Sequence, residues 1–318
     1  MDGSVTLYPR RHQVRADEPG ELIAAARAAW DGVAYRIAPG PFSFAGVGVA
    51  LAPGLCADGW RSEGAVRARM VLRPGLLHVA FIRGVDLRVR GWRVAEEAMA
   101  VTVGRATMVL STKDAATGVG LTVAALPTED DALLAQWYER GRDGTVLLPV
   151  VGEAALRLRD RLLRLSGEDP LGEDAEAAET ALRRDMCAAL QAAVATPDLR
   201  TAQGGKRRHA LAAAAEDLIW NRVRSTEPGD TSLDALCAAL GTTRRTLQLA
   251  FQEHFGVNYG LVTRAARLHR VRDELRAGVA SVSDTAFRHG FEHLGRFAGY
   301  YRSFYGENPS ATRRAGAR

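Results

Sequence analysis

The 318-residue sequence holds only three cysteines, Cys56, Cys187 and Cys237, far apart and with no CxxC pair. That scarcity excludes a disulfide framework and a zinc knuckle and fits a reducing cytoplasm. Long apolar runs are also missing. The longest uncharged stretch, Ile37 to Ala57, is broken by Pro39, Pro41 and Pro53 and by several glycines, so it does not read as a membrane helix. Acidic residues among the first twenty, with no apolar core behind a basic start, speak against a secretory signal. There is no Gly-x-x-x-x-Gly-Lys-Ser/Thr loop and no Gly-x-Ser-x-Gly elbow, and Gly46-Val47-Gly48 lacks the third glycine of a dinucleotide fingerprint. HxH-like ligand spacing is absent, and His78 stands alone between Leu77 and Val79, as a structurally satisfied histidine does. The expectation is a cytoplasmic protein with no cofactor, no metal and no membrane segment, and with no oxygenase or isomerase chemistry: not an enzyme.

What is present is a globular composition, 47% hydrophobic and 25% charged, and a length suited to two domains. The net charge of +5 is unevenly spread. From Arg200 onward there are 19 Arg or Lys against 11 Asp or Glu, a net of +8, which leaves −3 for the first 199 residues.

After a short helix expected over Glu21–Trp30, the chain from Tyr35 to Leu126 consists of short strand-like runs separated by turn residues. Val85, Leu87 and Val89 alternate with Asp86, Arg88 and Arg90, the period of a half-buried strand. Further runs cover residues 42–51, 65–72, 76–82, 98–103, 106–110 and 119–125, which suggests a barrel or jelly roll. From Asp130 apolar residues recur three or four apart. Helices are predicted over Glu153–Leu165, with Leu156, Leu158, Leu162 and Leu163 on one broad stripe, and over Glu173–Val194. They serve either dimerisation or packing on the barrel. Pro197, Gly204 and Gly205, followed by Lys206-Arg207-Arg208, read as a linker.

The C-terminal part contains a repeat of about fifty residues. Ser232 to Gly241 followed by Thr242 to Gly256 is matched by Ser281 to Gly290 followed by Phe291 to Gly306: a short helix, a glycine turn, and a second helix closed by glycine. Gly241 and Gly290 are 49 apart, whereas Leu247 and Phe297, Phe251 and Tyr301, and Gly256 and Gly306 are 50 apart, so the second turn is one residue longer. Leu247, Phe251 and Phe255, and likewise Phe297, Tyr301 and Phe304, form the inner face. The outer face of the first copy carries Thr243, Arg244, Arg245, Thr246, Gln248 and Gln252, groups suited to base edges and phosphates in a major groove. The second copy presents His293, Leu294, Gly295, Arg296, Gly299 and Arg302, and is expected to read less directly. Between the copies a helix over Tyr259–Ala277 holds the two units on one face of the duplex, where major grooves recur about every 34 Å.

These residues resemble the DNA-binding domain of the arabinose-regulator (AraC/XylS) family. The resemblance rests on the Ala210–Arg224 helix, the 233–256 unit, Arg264-x-x-Arg267-Leu268, Arg272-x-x-Leu275, Gly290-Phe291, His293-Leu294-Gly295-Arg296-Phe297 and Tyr305-Gly306-Glu307-Asn308-Pro309-Ser310. It implies base reading by the outward residues, Arg245 and Gln248 above all. Tyr259 stands where the family usually has proline, and Thr312-Arg313 replaces its usual Tyr-Arg; both bear on packing. In the N-terminal half, Trp30-Asp31, Tyr35 and Pro39-Gly40-Pro41-Phe42 resemble sensor domains of the ornithine- and ethanolamine-control branch.

The expected fold class is α+β: a cupin-like barrel (1–129), a helical dimerisation and coupling region (130–196), a linker (197–209), and an all-α DNA-binding domain (210–318) with helix-turn-helix units at 232–256 and 281–306. The expected function is transcription regulation. Double-stranded operator or promoter DNA, a second copy of the chain and a small-molecule effector are the expected partners, with RNA polymerase if the protein activates. Trp60, Trp92 and Arg83 are pocket candidates, against the plainer reading as core aromatics and a solvated cation. Two alternatives remain: a cupin-type enzyme with an accessory nucleic-acid module, and a constitutive regulator whose barrel only dimerises.

Overall fold

A computed structural model describes residues 11–94, 96–124, 131–142, 144–167, 175–199, 206–225, 229–278 and 281–316. The boundary expected near residue 129 and the middle of the expected linker, 200–205, lie outside the described residues. The chain divides into two compact units: residues 1–34, 43–63 and 68–204 form one, and residues 35–42, 64–67 and 205–318 the other.

The first unit is built on β-structure. The strands are β1 (Arg11–Ala16), β2 (Trp30–Arg36), β3 (Ser43–Ala52), β4 (Leu55–Glu63), β5 (Val66–Leu72), β6 (Leu77–Gly84), β7 (Arg88–Val89), β8 (Trp92–Arg93), β9 (Ala98–Val103), β10 (Thr107–Thr112), β11 (Ala116–Val123) and β12 (Val146–Pro149). They form a seven-stranded sheet of order β1-β3-β4-β11-β6-β9-β12 and a five-stranded sheet of order β2-β5-β10-β7-β8. Helices α1 (Pro19–Ala26), α2 (Asp131–Gly141), α3 (Glu153–Ser166) and α4 (Ala175–Ala193) complete the unit. Because successive strand residues point to opposite faces, the seven-stranded sheet has two interiors. Leu55, Ala57, Val79, Phe81, Val119 and Leu121 pack with Trp137 of α2, Leu158 and Leu162 of α3, and Leu182, Met186 and Leu190 of α4. The alternate positions, among them Cys56, Ala80, Ile82 and Ala100, face residues of the five-stranded sheet such as Met70, Leu72, Val89 and Met108.

Three expectations need correction. The alternating Val85–Arg90 segment is a strand only at Arg88–Val89, because Gly84 ends β6 and Asp86 turns back to pair with Arg88 and Lys113, leaving Val85 68% exposed. Helix α1 begins earlier and ends earlier than Glu21–Trp30: Pro19 sits in its first turn, where a missing N–H is harmless, and Trp30 opens β2 with its ring in the core against His78. The leucines of α3 do not form a single buried stripe. Leu158 and Leu162 are buried, whereas Leu156 and Leu163, seven residues apart, stay 40% and 50% exposed.

In the second unit, α5 (Lys206–Arg224), α6 (Leu233–Leu240), α7 (Arg244–Phe255), α8 (Tyr259–Arg276), α9 (Val282–Arg288), α10 (Leu294–Tyr305) and α11 (Pro309–Gly316) surround one core. Helix α8 is central: Val262, Ala265, Ala266, Leu268, Val271 and Leu275 are buried, and α5, α7, α9 and α11 all pack on it. Gly241 closes α6 in the left-handed region (φ 59), a conformation that costs other residues about 1–2 kcal/mol.

Tyr35 and Ile37 belong to this core, and Arg67 enters it as a buried cation. The Arg67 guanidinium donates to both carboxylate oxygens of Glu216 on α5, each at 2.5 Å, and Nη2 lies 3.0 Å from His254 Nε2 of α7. The Tyr35 hydroxyl donates to the same carboxylate, and the guanidinium covers the Phe255 ring at 4.3 Å. Removing one partner of such a pair leaves the other charge buried. Glu216→Ala is expected to destabilise this unit by about 3–5 kcal/mol in urea unfolding, and Arg67→Met with Glu216→Leu to recover much of the loss.

Candidate functional site

The two helix-turn-helix units are built by matching caps. Ser232 caps α6 by accepting from the Ala235 amide, and Ser281 caps α9 by accepting from the Asp284 amide. Thr243 caps α7 through the Thr246 amide, and its hydroxyl lies 2.9 Å from that of Thr246. Each second helix ends on a left-handed glycine, Gly256 (φ 69) or Gly306 (φ 75), whose N–H returns to the Gln252 or Arg302 carbonyl. Leu247, Phe251 and Phe255 are buried in one unit, as are Phe297, Tyr301 and Phe304 in the other. The extra residue of the second turn falls between Gly290 (φ 76) and His293, which starts α10 without a side-chain cap.

This packing turns every nominated reading residue outward. Thr243, Arg244, Arg245, Thr246, Gln248 and Gln252 are exposed on α7, and His293, Leu294, Gly295, Arg296, Gly299 and Arg302 on α10. They are not equivalent. Arg244 forks onto Asp234 of α6, which holds that carboxyl below the ordinary range by hydrogen bonding, so Arg244 ties the two helices of its unit together. Thr243 and Thr246 are engaged in the cap, and the Gln252 amide donates to the Gly256 carbonyl at 3.3 Å. Among the described residues, Arg245 and Gln248 have no such partner. They line a notch of about 500 Å³ with Leu249, Gln252 and the first residues of α8, Asn258, Tyr259 and Gly260. A bidentate donor and an amide beside a helix N-terminus suit base edges flanked by a phosphate. On α10 the positions of Gly295 and Gly299 open onto empty space, so a backbone surface flanks Arg296 and Arg302.

The first unit holds a second polar constellation, on the strand that sequence reasoning missed. In β4, Asp58 and Trp60 face the five-stranded sheet, and the neighbouring strands place glycines directly opposite both: Gly48 and Gly120 beside Asp58, Gly46 and Gly118 beside Trp60. A Cβ on Gly118 would meet the Trp60 ring at 2.7 Å, and one on Gly120 would meet His78 Cε1 at 2.6 Å and Asp58 Oδ1 at 3.0 Å. Glycine is what lets these side chains lie flat across the sheet. His78 Nδ1 is 3.0 Å from the Thr122 hydroxyl, and burial lowers its pKa to about 4. Among the described residues no cation pairs with Asp58, and burial pushes its carboxyl up to about 7. Trp92 is a core residue, Trp60 packs against the cluster between the sheets, and Arg83 stands exposed on the other face of the seven-stranded sheet. Among the described residues no three His, Cys, Asp or Glu side chains cluster as a metal site, and no helix is long and apolar enough to cross a membrane.

Comparison with known proteins adds to this geometry. A profile of the helix-turn-helix domain family matches residues 236–315. The chain is 37% identical over 86 residues to a XylDLEGF operon transcriptional activator of Pseudomonas putida, covering 26% of this chain and 27% of that one. It is 40% identical over 74 residues to a probable thc operon regulatory protein of Rhodococcus erythropolis, 22% of each chain. The match thus spans about a quarter of the length of these curated relatives. Among solved structures, a probable AraC family transcriptional regulator from Rhodopseudomonas palustris CGA009 is 28% identical with a TM-score of 0.31, covering 33% of this chain and 97% of that one.

The carboxyl in the β-rich unit carries a pH signature. Its ordinary pKa is about 3.9, so between about pH 4 and 7 the unfolded chain has released a proton that folded Asp58 retains, and stability falls as pH rises through that window. His78 acts oppositely: lowered to about 4 in the folded state against an ordinary 6.5, it makes stability rise with pH over about 4 to 6.5. Asp58→Asn removes the first effect, so denaturant midpoints of the variant should climb from pH 4.5 to 7 more steeply than those of the parent; parallel pH profiles would show that Asp58 is ionised in the folded chain.

Proposed function

We propose that this chain, whose residues 236–315 are a helix-turn-helix domain of the AraC type, is a sequence-specific DNA-binding regulator of transcription. The observation that carries the reading is the division of labour on α7: Arg244 is committed to Asp234, while Arg245 and Gln248 are left exposed beside the start of α8. Arg245 donates to guanine or a phosphate and Gln248 pairs with adenine, while Arg296 and Arg302 of α10 position the second unit through phosphates. The 18-residue α8 rises about 27 Å. Where the separation of the two reading helices falls short of the groove repeat of about 34 Å, engagement of both units bends the duplex. The relatives it matches are regulators, which favours this reading over an enzyme with an accessory module. Where the protein activates, RNA polymerase is a further partner.

The helical segment of residues 130–196 serves dimerisation in this reading, and the exposed Leu156 on α3 supports it. The effector is a polar small molecule held between the sheets, where Asp58 offers a carboxyl that no cation pairs among the described residues, over a glycine-lined surface. Arg245→Ala or Gln248→Ala should each lower operator affinity by about 1–3 kcal/mol and relax sequence preference in competition binding; unchanged affinity and preference in both would move the reading face elsewhere. A metabolite screen by thermal shift should find a stabilising ligand whose effect Asp58→Asn abolishes. If no metabolite stabilises the chain, the β-rich unit is a dimeriser alone.

A further inference from the structure

The opposite face of the seven-stranded sheet carries an arrangement that DNA binding and the Asp58 constellation do not use. Strand pairing sets Arg15 opposite Ala45, Ala45 opposite Arg61, Arg61 opposite Thr117 and Thr117 opposite Arg83. Three arginines therefore stand in one row across five strands, two strands or about 10 Å apart, with small residues between them. The adjacent row on the same face is Gln13, Val47, Gly59, Val119 and Phe81, and it is mostly apolar. Above it lies the C-terminal end of α3. Gly59 permits that approach, since a Cβ there would meet Ser166 Cβ at 2.5 Å. The result is a groove of about 660 Å³ with a guanidinium rim, a floor of Val47, Val119 and Phe81, and Leu163 of α3 as one wall.

The charges of the groove are partly spent and partly free. Arg159 is neutralised by Glu97 and Asp160, and Arg61 by Glu63. Arg11 donates through Nη2 to the Gly167 carbonyl at 2.7 Å, while its Nη1 is buried without a hydrogen-bond partner. Arg15 and Arg83 are exposed and make no ion pair among the described residues; Arg83 reaches only the Thr117 hydroxyl, at 3.3 Å. Of the lining side chains only Glu97 is acidic. A cationic rim over an apolar floor calls for a ligand with both characters. The volume is that of a small-molecule site, and a nucleic-acid backbone has no use for the floor.

We propose that this groove binds an amphipathic organic anion, its carboxylate or phosphate among Arg15, Arg61 and Arg83 and its apolar body on Phe81, Val119 and Val47 against Leu163. The site is separate from the one proposed between the sheets and does not depend on it. Guanidinium forks suit either headgroup, so the probes are decanoate and decyl phosphate, with decanol as the uncharged control, titrated calorimetrically into the full chain below their aggregation concentrations. Both anions, or one in preference, should bind saturably with one molecule per chain, and decanol at least tenfold more weakly. Arg15→Gln with Arg83→Gln should weaken the anions at least tenfold; both residues are exposed, and an unchanged ligand-free melting temperature verifies the fold. Leu163→Gln should weaken the ten-carbon anions more than it weakens butyrate. Absence of saturable binding, equal binding of decanol, or undiminished binding by the double arginine variant overturns the proposal. So does displacement of bound decanoate by non-specific duplex DNA, which would assign the arginines to a nucleic-acid backbone.

Discussion

The DNA-binding unit depends on the burial of one helix. Helix α8 is 18 residues long and carries buried side chains on several faces, with α5, α7, α9 and α11 packed around it. A helix enclosed in this way cannot roll or slide without opening the core, and interiors packed at crystal-like density resist such shifts. Helix α7 leads into its start through the short turn at Gly256, and α10 follows its end by way of α9, so both reading helices are fixed against this one element. In the proposed complex a rigid protein leaves any mismatch with the groove repeat to the duplex, where bending energy varies with base sequence.

Within that frame, function rests on which polar groups are already committed. Four exposed cations on α7 and α10 look alike in the sequence, yet Arg244 is held by Asp234, whereas Arg245 is left to meet a ligand. The β-rich unit repeats the contrast. Among the described residues Arg159 and Arg61 have carboxylate neighbours and Arg15 and Arg83 do not, and the half-buried Asp58 has no cation while the buried Glu216 of the other unit is bound by Arg67 and Tyr35. An ionisable group left unpaired in a folded protein holds its hydrogen-bonding capacity in reserve, and the sites proposed for DNA base edges, an effector and an organic anion are all of this kind.

Much of the helical half was legible in the chain. The repeat spacing, the glycines closing each second helix and the four-residue recurrence of Leu247, Phe251 and Phe255 are local signals, and the caps that realise them lie within three residues of the helix starts. The β-rich half was less legible, and the losses have a pattern. Strand β1 is a polar edge, β12 follows a segment with helical periodicity, and β4 places Asp58, Gly59 and Arg61 where an apolar alternation would be expected. That strand is the one carrying the Asp58 constellation and part of the arginine row. Charged residues and glycine in these positions break the apolar alternation by which a strand is found. The alternation at Val85–Arg90 misled in the opposite sense, because period-two patterning does not register a turn imposed by Gly84 and by the pairing of Asp86.

The sequence alone determined the helix-turn-helix repeat, its one-residue difference in turn length and the outward face of each reading helix, because caps, glycine turns and helical periodicity act within a few residues of one another. Only the tertiary structure decided which of the outward cations are free, that Arg67 belongs to the C-terminal core, that Asp58 lies between glycines, and that Arg15, Arg61 and Arg83 form one row. Those facts depend on strand register and on contacts between residues tens to more than a hundred positions apart, and no local pattern encodes the partner that a side chain meets when the chain closes on itself.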